Sequence, residues 1–189
     1  MHHWNTTGIA RWLALPIALV MGLGGCASQP SGHFVLALDA QTAGGQSTWD
    51  LDNLPRRGRL HFTGIPRNEA TRADVSRLVL FFGDPTRKND TLARLFMEDP
   101  DCAGSYGFSL DRQVDTATSQ IDYLKPRLPW GQALQIDVQW WPDGRLILDI
   151  AGVGHSEVVL PGRVHHVQLR AYKGGLRVDD LQFENLDGK

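Results

Sequence analysis

Two aspartates, Asp137 and Asp149, form the arrangement in this 189-residue sequence best suited to chemistry. They lie in the stretch LQIDVQWWPDGRLILDIAG, where Pro142-Asp143-Gly144 suits a three-residue hairpin turn. Proline sets φ at the turn and glycine takes its left-handed position. Closing the hairpin pairs Trp141 with Arg145, Trp140 with Leu146, Val138 with Leu148 and Ile136 with Ile150, and it sets Asp137 opposite Asp149. Like charges directly opposed on a sheet destabilise it, so the pair asks for a cation, a raised pKa or open water. With Cβ atoms ~5 Å apart, the two carboxylates suit the acid and nucleophile of retaining glycoside hydrolysis. The simpler expectation is a solvated pair, salted by Arg145 or Arg170.

The same register makes Trp140 core and leaves Trp141 outside it, beside Gln139 and Gln135. If a later strand carrying His166, Arg170 and Tyr172 runs next to the hairpin, these groups and Asp137 form a sugar-binding face, with a flat ring to stack and amides to hold hydroxyls. The plain alternative is an ordinary wet sheet surface. Metal signals are weak. The stretch DPDCAGSYGFSL imitates a calcium loop with Asp99, Asp101 and Gly104, but Ala103 replaces an oxygen ligand and Leu110 stands where a bidentate glutamate is required. A sandwich-type calcium site using Asp84, Asp99 or Asp101 is the residual expectation; otherwise no cofactor is expected. His165 and His166 are adjacent on a strand and point to opposite faces, so they do not chelate one ion together. No G-x-S-x-G elbow occurs, Cys102 has no evident histidine partner, and the glycine-rich TAGGQS lacks the Gly-Lys-Ser/Thr of a phosphate loop.

The elements that must position these groups read at period two, the spacing of half-buried strands. Phe34, Leu36 and Leu38 alternate with His33, Val35 and Ala37; Leu60 and Phe62 with His61 and Thr63; Tyr106, Phe108 and Leu110 with Ser105, Gly107 and Ser109. Ile121 and Tyr123 make a shorter example. Leu78–Phe82 is apolar at both parities, which predicts a central strand covered on both faces. His165, Val167, Leu169 and Ala171 oppose His166, Gln168, Arg170 and Tyr172. In the closing segment Leu176 and Val178 share one parity and Leu181 and Phe183 the other, which predicts a bulge near Asp179-Asp180. Helix is scarce: Asp90 is placed to cap a short turn over Thr91–Met97, with Leu92, Leu95 and Phe96 on one face, and Asn68–Ser76 could hold another. Nine or ten short strands predict an all-β sandwich or barrel.

At the N-terminus Arg11 precedes a dozen uncharged residues, Trp12–Leu23. Spanning a bilayer takes roughly 20, so the run reads as a cleavable export signal. It ends in Leu23-Gly24-Gly25-Cys26, which resembles the lipobox of bacterial lipoproteins. The resemblance implies cleavage after Gly25 and lipid on Cys26. Residues 1–25 are then the signal peptide, 26–32 the lipidated cysteine and short tether, and 33–189 one domain. Multiple acyl chains anchor stably where one does not. Ala27 is not the aspartate that retains many such proteins at the inner membrane, so the expected location is the outer membrane, facing the periplasm. With Cys26 lipidated, Cys102 has no disulfide partner and should be shielded. A formal net charge of −2 and no basic run beyond Arg56-Arg57-Gly58-Arg59 give no sign of a nucleic-acid partner.

A tryptophan-rich strand, a hairpin, a short V-x-L strand and the closing GGLRVDDLQFEN resemble, over residues 130–186, the C-terminal half of concanavalin A-like lectin/glucanase and laminin-G-like jelly rolls. The resemblance implies a jelly-roll β-sandwich. Sandwich glucanases carry an E-x-D-x-E signature, and none of Glu69, Glu98, Glu157 and Glu184 falls in that arrangement. The expected function is therefore a lipid-anchored, non-enzymatic module that binds a glycan or an envelope protein, a protective immunity-type lipoprotein being a narrower form. The alternatives are a carbohydrate-active enzyme using Asp137 and Asp149, and a structural envelope component.

Overall fold

The computed structural model describes residues 31–39, 45–68, 77–84, 91–99, 104–114 and 118–188. The proposed signal segment with Gly25 and Cys26, residues 69–76 of the turn expected over Asn68–Ser76, and Asp90, Asp101 and Cys102 lie outside these residues; Asn68 itself ends a strand.

Twelve strands run in chain order: β1 (Gly32–Asp39), β2 (Gln46–Asp52), β3 (Gly58–Asn68), β4 (Arg77–Gly83), β5 (Thr91–Glu98), β6 (Ser105–Gln113), β7 (Ser119–Pro129), β8 (Leu134–Trp140), β9 (Arg145–Ile150), β10 (Gly154–Val159), β11 (His166–Tyr172) and β12 (Gly174–Asn185). They form two six-stranded antiparallel sheets. Sheet A has the order β1-β12-β3-β8-β9-β10 and sheet B the order β2-β11-β4-β5-β6-β7. Inward residues of both sheets make one core. Phe62, Leu60, Ile136, Val138, Trp140 and Leu148 from sheet A meet Leu80, Phe82, Leu95, Leu110, Val167 and Leu169 from sheet B, all at 1% exposure or less. A period-two chain buries every second side chain this way, and a one-residue slip would reverse the faces.

The hairpin register holds as expected, with Ile136 opposite Ile150, Val138 opposite Leu148 and Trp140 opposite Leu146. Gly144 sits at φ +86°, and a Cβ there would meet the Leu160 carbonyl at 2.4 Å, so both backbone conformation and space demand glycine. The ladder slips between Val178 and Asp180, where the parity switch predicts a bulge. Prolines in β7 are tolerated because β7 is one of the two edge strands of sheet B.

Three expectations change. Residues Thr91–Glu98 form strand β5, not a helical turn, and no helix occurs among the described residues. Their Ala93, Leu95 and Met97 turn inward while Arg94, Phe96 and Glu98 turn out, and β4 and β6 bond the strand on both sides. Strands β2 and β10 are additional to those expected. Leu78–Phe82 is central, between β11 and β5, as expected, but its outer face is covered only in part: Val79 is 1% exposed there, while the half-buried Phe81 lies under the Arg170 guanidinium at 4.7 Å.

Candidate functional site

Asp137 and Asp149 face each other on β8 and β9, yet each has a partner from elsewhere. Strand β3 runs beside β8 and sets His61 opposite Asp137 and Arg59 opposite Gln139. Arg59 donates through Nε at 2.7 Å and Nη2 at 2.5 Å to Asp137 Oδ2; His61 Nδ1 lies 3.3 Å from the same oxygen. The Gln139 amide donates to Oδ1 at 3.3 Å. The bond to Asp137, working against burial, raises the Arg59 pKa above its ordinary value. Asp149 is exposed and meets His155 Nδ1 at 2.8 Å. The salting partners are therefore Arg59 and His155, in place of Arg145 or Arg170. A groove of about 630 Å³ lies over the pair, lined by Arg59, His61, Gln135, Asp137, Asp149 and His155 and by the turn Ile150–Gly154.

This arrangement fits glycoside hydrolysis poorly. A carboxyl that must donate a proton is kept in an apolar pocket that disfavours its charge. Here one carboxylate is bound by a guanidinium and the other is in water beside an imidazole. Trp141 does not line the groove. Its ring lies beneath Arg145, 4.1 Å from the centroid, with Arg57 at 5.7 Å, so cations already take its stacking surface. Arg145 also reaches Glu157 at 3.8 Å.

His166, Arg170 and Tyr172 lie on β11 in sheet B, between β2 and β4. They point outward, their neighbours Val167, Leu169 and Ala171 being buried. The strands that would have to adjoin for one continuous face belong to opposite sheets, so the expected ligand residues divide between the two outer surfaces. His166 bridges Asp52 at 2.6 Å and Asp50 at 3.5 Å.

The outer face of sheet B sets Arg170, one of the expected ligand residues, in line with groups that the sequence pattern did not mark as ligands. One row crosses it in register: Thr48, Arg170, Val79, Phe96, Ser109 and Tyr123, from β2, β11, β4, β5, β6 and β7 respectively. Phe96 lies between the guanidinium groups of Arg77 (5.5 Å) and Arg94 (5.3 Å). Those arginines pair with Glu98, at 2.6 Å, and with Asp111. Tyr123 is 76% exposed and Ile121 52%, so this apolar alternation faces water, while Leu128 of β7 is buried. Beside Tyr123 is a cavity of about 270 Å³ lined by Glu98, Ser109, Lys125 and Arg127. Gly107 also lines it, and a Cβ there would approach the Arg127 side chain at 3.6 Å.

Of the expected calcium ligands, Asp99 is engaged structurally. At 3% exposure it accepts from Arg127 Nη2 (2.7 Å), the Gly104 amide (3.0 Å) and Trp130 Nε1 (3.2 Å), tying the end of β5 to β6 and to the exit of β7. Asp84 is buried at 7% exposure. Among the described residues no group of three or more His, Cys, Asp or Glu side chains is placed to hold a metal ion.

Two six-stranded antiparallel sheets closed over one core define a jelly-roll β-sandwich, with the polar surfaces described above on its two outer faces. Solved structures similar to it include an alginate lyase from Pseudomonas aeruginosa, at 12% identity and a TM-score of 0.55 over 69% of this chain and 65% of that one. Congerin II solved with lactose and MES is similar at 14% identity and a TM-score of 0.52, over 73% of this chain and 100% of that one. At such identities the likeness is one of fold, and this chain spans less than two thirds of the lyase's length. No family model and no curated protein sequence matches the chain.

Proposed function

We propose that this protein is a carbohydrate-binding module that holds an extended saccharide across the outer face of sheet B without cleaving it. The observation that carries the reading is Tyr123: a ring 76% exposed, beside a cavity walled by a carboxylate and two cations. Burying a tyrosine-sized ring makes a large apolar contribution, so one left open on a sheet face is a ready platform for the flat face of a sugar. Glu98, Lys125 and Arg127 supply the acceptor and donors that would fix its hydroxyls. From Tyr123 to Arg170 the row crosses four strand spacings, about 19 Å at ~4.8 Å each, long enough for an oligosaccharide. Two neighbours in fold support the reading, one solved with lactose and one an alginate lyase. The export signal and Cys26 lipobox of the sequence would anchor this module in the cell envelope, at the outer membrane facing the periplasm. The paired state of Asp137 and Asp149 weighs against turnover in the other groove.

The test is calorimetric titration of the full chain with a panel of oligosaccharides, alongside Tyr123→Ala. Binding that drops at least tenfold in the variant, with an unchanged melting transition, is the expected result. A panel without a single binder, or a variant that binds as the parent does, removes the proposal. Labelled palmitate should enter the parent and be absent from Cys26→Ser; an unlabelled parent overturns the anchoring.

A further inference from the structure

Resting on that reading, the charge pairing on sheet B indicates the class of saccharide. Its outward arginines come with carboxylates: Arg77 with Glu98, Arg94 with Asp111, Arg127 with Asp99. Arg170 differs. Its Nη1 donates to the Tyr172 hydroxyl at 2.7 Å and its Nη2 to the Gln168 amide oxygen, both neutral acceptors. Its Nε is buried with no acceptor among the described residues. Two of the five N–H groups of the guanidinium therefore have partners in the fold, and among the described residues no carboxylate bonds to it.

The nearby carboxylate is held one group away. Asp50, on the strand next to β11, accepts from Gln168 Nε2 at 2.6 Å. That bond turns the Gln168 amide so that its oxygen, the acceptor end, meets Arg170. The guanidinium is thus oriented by a relay and steadied over Phe81 at 4.7 Å, while its charge is left unmatched. A half-buried arginine in a fixed pose and short of an anion is built to receive one, because charge-assisted bonds to carboxylate or sulfate are roughly twice as strong as neutral ones. We propose that Arg170 reads an acidic group on the bound saccharide, a uronate carboxylate or a sulfate ester, and that the ligand is an anionic polysaccharide lying along the row from Tyr123 to Arg170.

Three probes test this on the full chain: oligogalacturonate for carboxylate, dextran sulfate for sulfate, and neutral dextran. The parent should bind at least one acidic probe ten times or more tighter than dextran, with a preference that weakens as salt rises. Which acidic probe binds tells carboxylate from sulfate. Arg170→Gln should lose that preference, its affinity for the acidic probe falling to within a few-fold of its own affinity for dextran; Arg170→Lys, which retains charge without the planar fork, should recover part of it. If Arg170→Gln fails to fold, a diminished acidic preference in Arg170→Lys serves in its place. Equal affinity of the parent for acidic and neutral probes, or an undiminished acidic preference in both variants, overturns the role of Arg170 and leaves the saccharide reading standing. No binding of any probe, in a protein that also fails the wider oligosaccharide panel, overturns both.

Discussion

Gly58 and Trp140 are directly opposite on β3 and β8, and a double-mutant cycle on them measures how tightly this corner of the core is filled. A Cβ at residue 58 would stand 2.3 Å from Trp140 Cζ2, 2.7 Å from Cε2 and 3.1 Å from Pro55 Cγ. The indole has little freedom to yield. It is fully buried, donates through Nε1 to the Pro55 carbonyl at 3.1 Å, and lies parallel to Phe183 at 6.1 Å with 9° between the planes. Overpacking costs ~1–3 kcal/mol, and a buried carbonyl that loses its donor costs ~1–3 kcal/mol more. Against that, replacing glycine by alanine recovers ~0.4–1 kcal/mol of unfolded-state entropy. Gly58→Ala should therefore destabilise by about 3 kcal/mol, lowering Tm by roughly 6–12 °C for a domain of this size. Trp140→Phe loses the same hydrogen bond and leaves a void, at a similar cost of about 3 kcal/mol. Phenylalanine has no atom at Cζ2, so the clash disappears in the double variant. Its loss should fall short of the sum of the two by about 2 kcal/mol, far outside the ~0.5 kcal/mol scatter of independent sites. Guanidinium unfolding of the four proteins with a common m-value reads the coupling. Additive losses would refute the contact and the β3–β8 register with it.

Tyr106 is fully buried against Phe108 and Trp130, and its hydroxyl has no hydrogen-bond partner among the described residues. Tyr106→Phe should keep the packing and leave stability unchanged or higher by up to about 1 kcal/mol. Burial pushes the Tyr106 phenol up from its ordinary value. Its contribution to stability is thus complete well below pH ~10, where an unfolded tyrosine is half ionised, and is lost as the pH rises toward the higher folded value. Unfolding curves at pH 8 and pH 10.5 should show a smaller alkaline loss for the variant; identical losses would contradict the buried hydroxyl. Trp140→Ala should cost ~3–5 kcal/mol and Trp141→Ala under ~1 kcal/mol, with saccharide binding untouched in the latter. Equal costs would mean that the hairpin register is wrong.

Strands with a single apolar parity, such as β3, β6, β8 and β11, were legible because one buried face imposes its period on the chain. Strand β5 was not. Leu92, Leu95 and Phe96 sit at helical spacing, and the sheet overrides this by binding the segment on both sides to β4 and β6, the strands before and after it, which lie beyond the window in which a helical period is read. The Asp137–Asp149 pairing follows from a local turn, so the sequence contained it. Their true partners, Arg59 and His155, depend on β3 lying beside β8 and on the β9–β10 hairpin. Likewise, alternation at Ile121 and Tyr123 announces a strand but not which side faces water. The ladder slip between Tyr106 and Phe108 intervenes before Leu128 turns inward. Placement of β11 in the sheet opposite β8 is a matter of topology, to which no short window of sequence is sensitive.

Strand β1 is an edge of sheet A and, among the described residues, is bonded along one side only, to β12. Its first residue, Gly32, pairs with Phe183 near the end of β12, and its last, Asp39, with Gly175. The chain before Gly32 and the chain after Asn185 therefore leave the sheet at the same end. A tensile load applied between them acts on the β1–β12 ladder as a zipper, breaking rungs in succession instead of shearing all of them together. The rupture meets the slip between Phe34 and Leu36 almost at once, where the ladder is already interrupted. Strand β12 meanwhile stays bonded along its other side to β3, so the eleven remaining strands keep their order. Mechanically, β1 is a fuse: under traction it yields first, lengthening the chain while leaving Tyr123, Arg170 and the rest of sheet B in place.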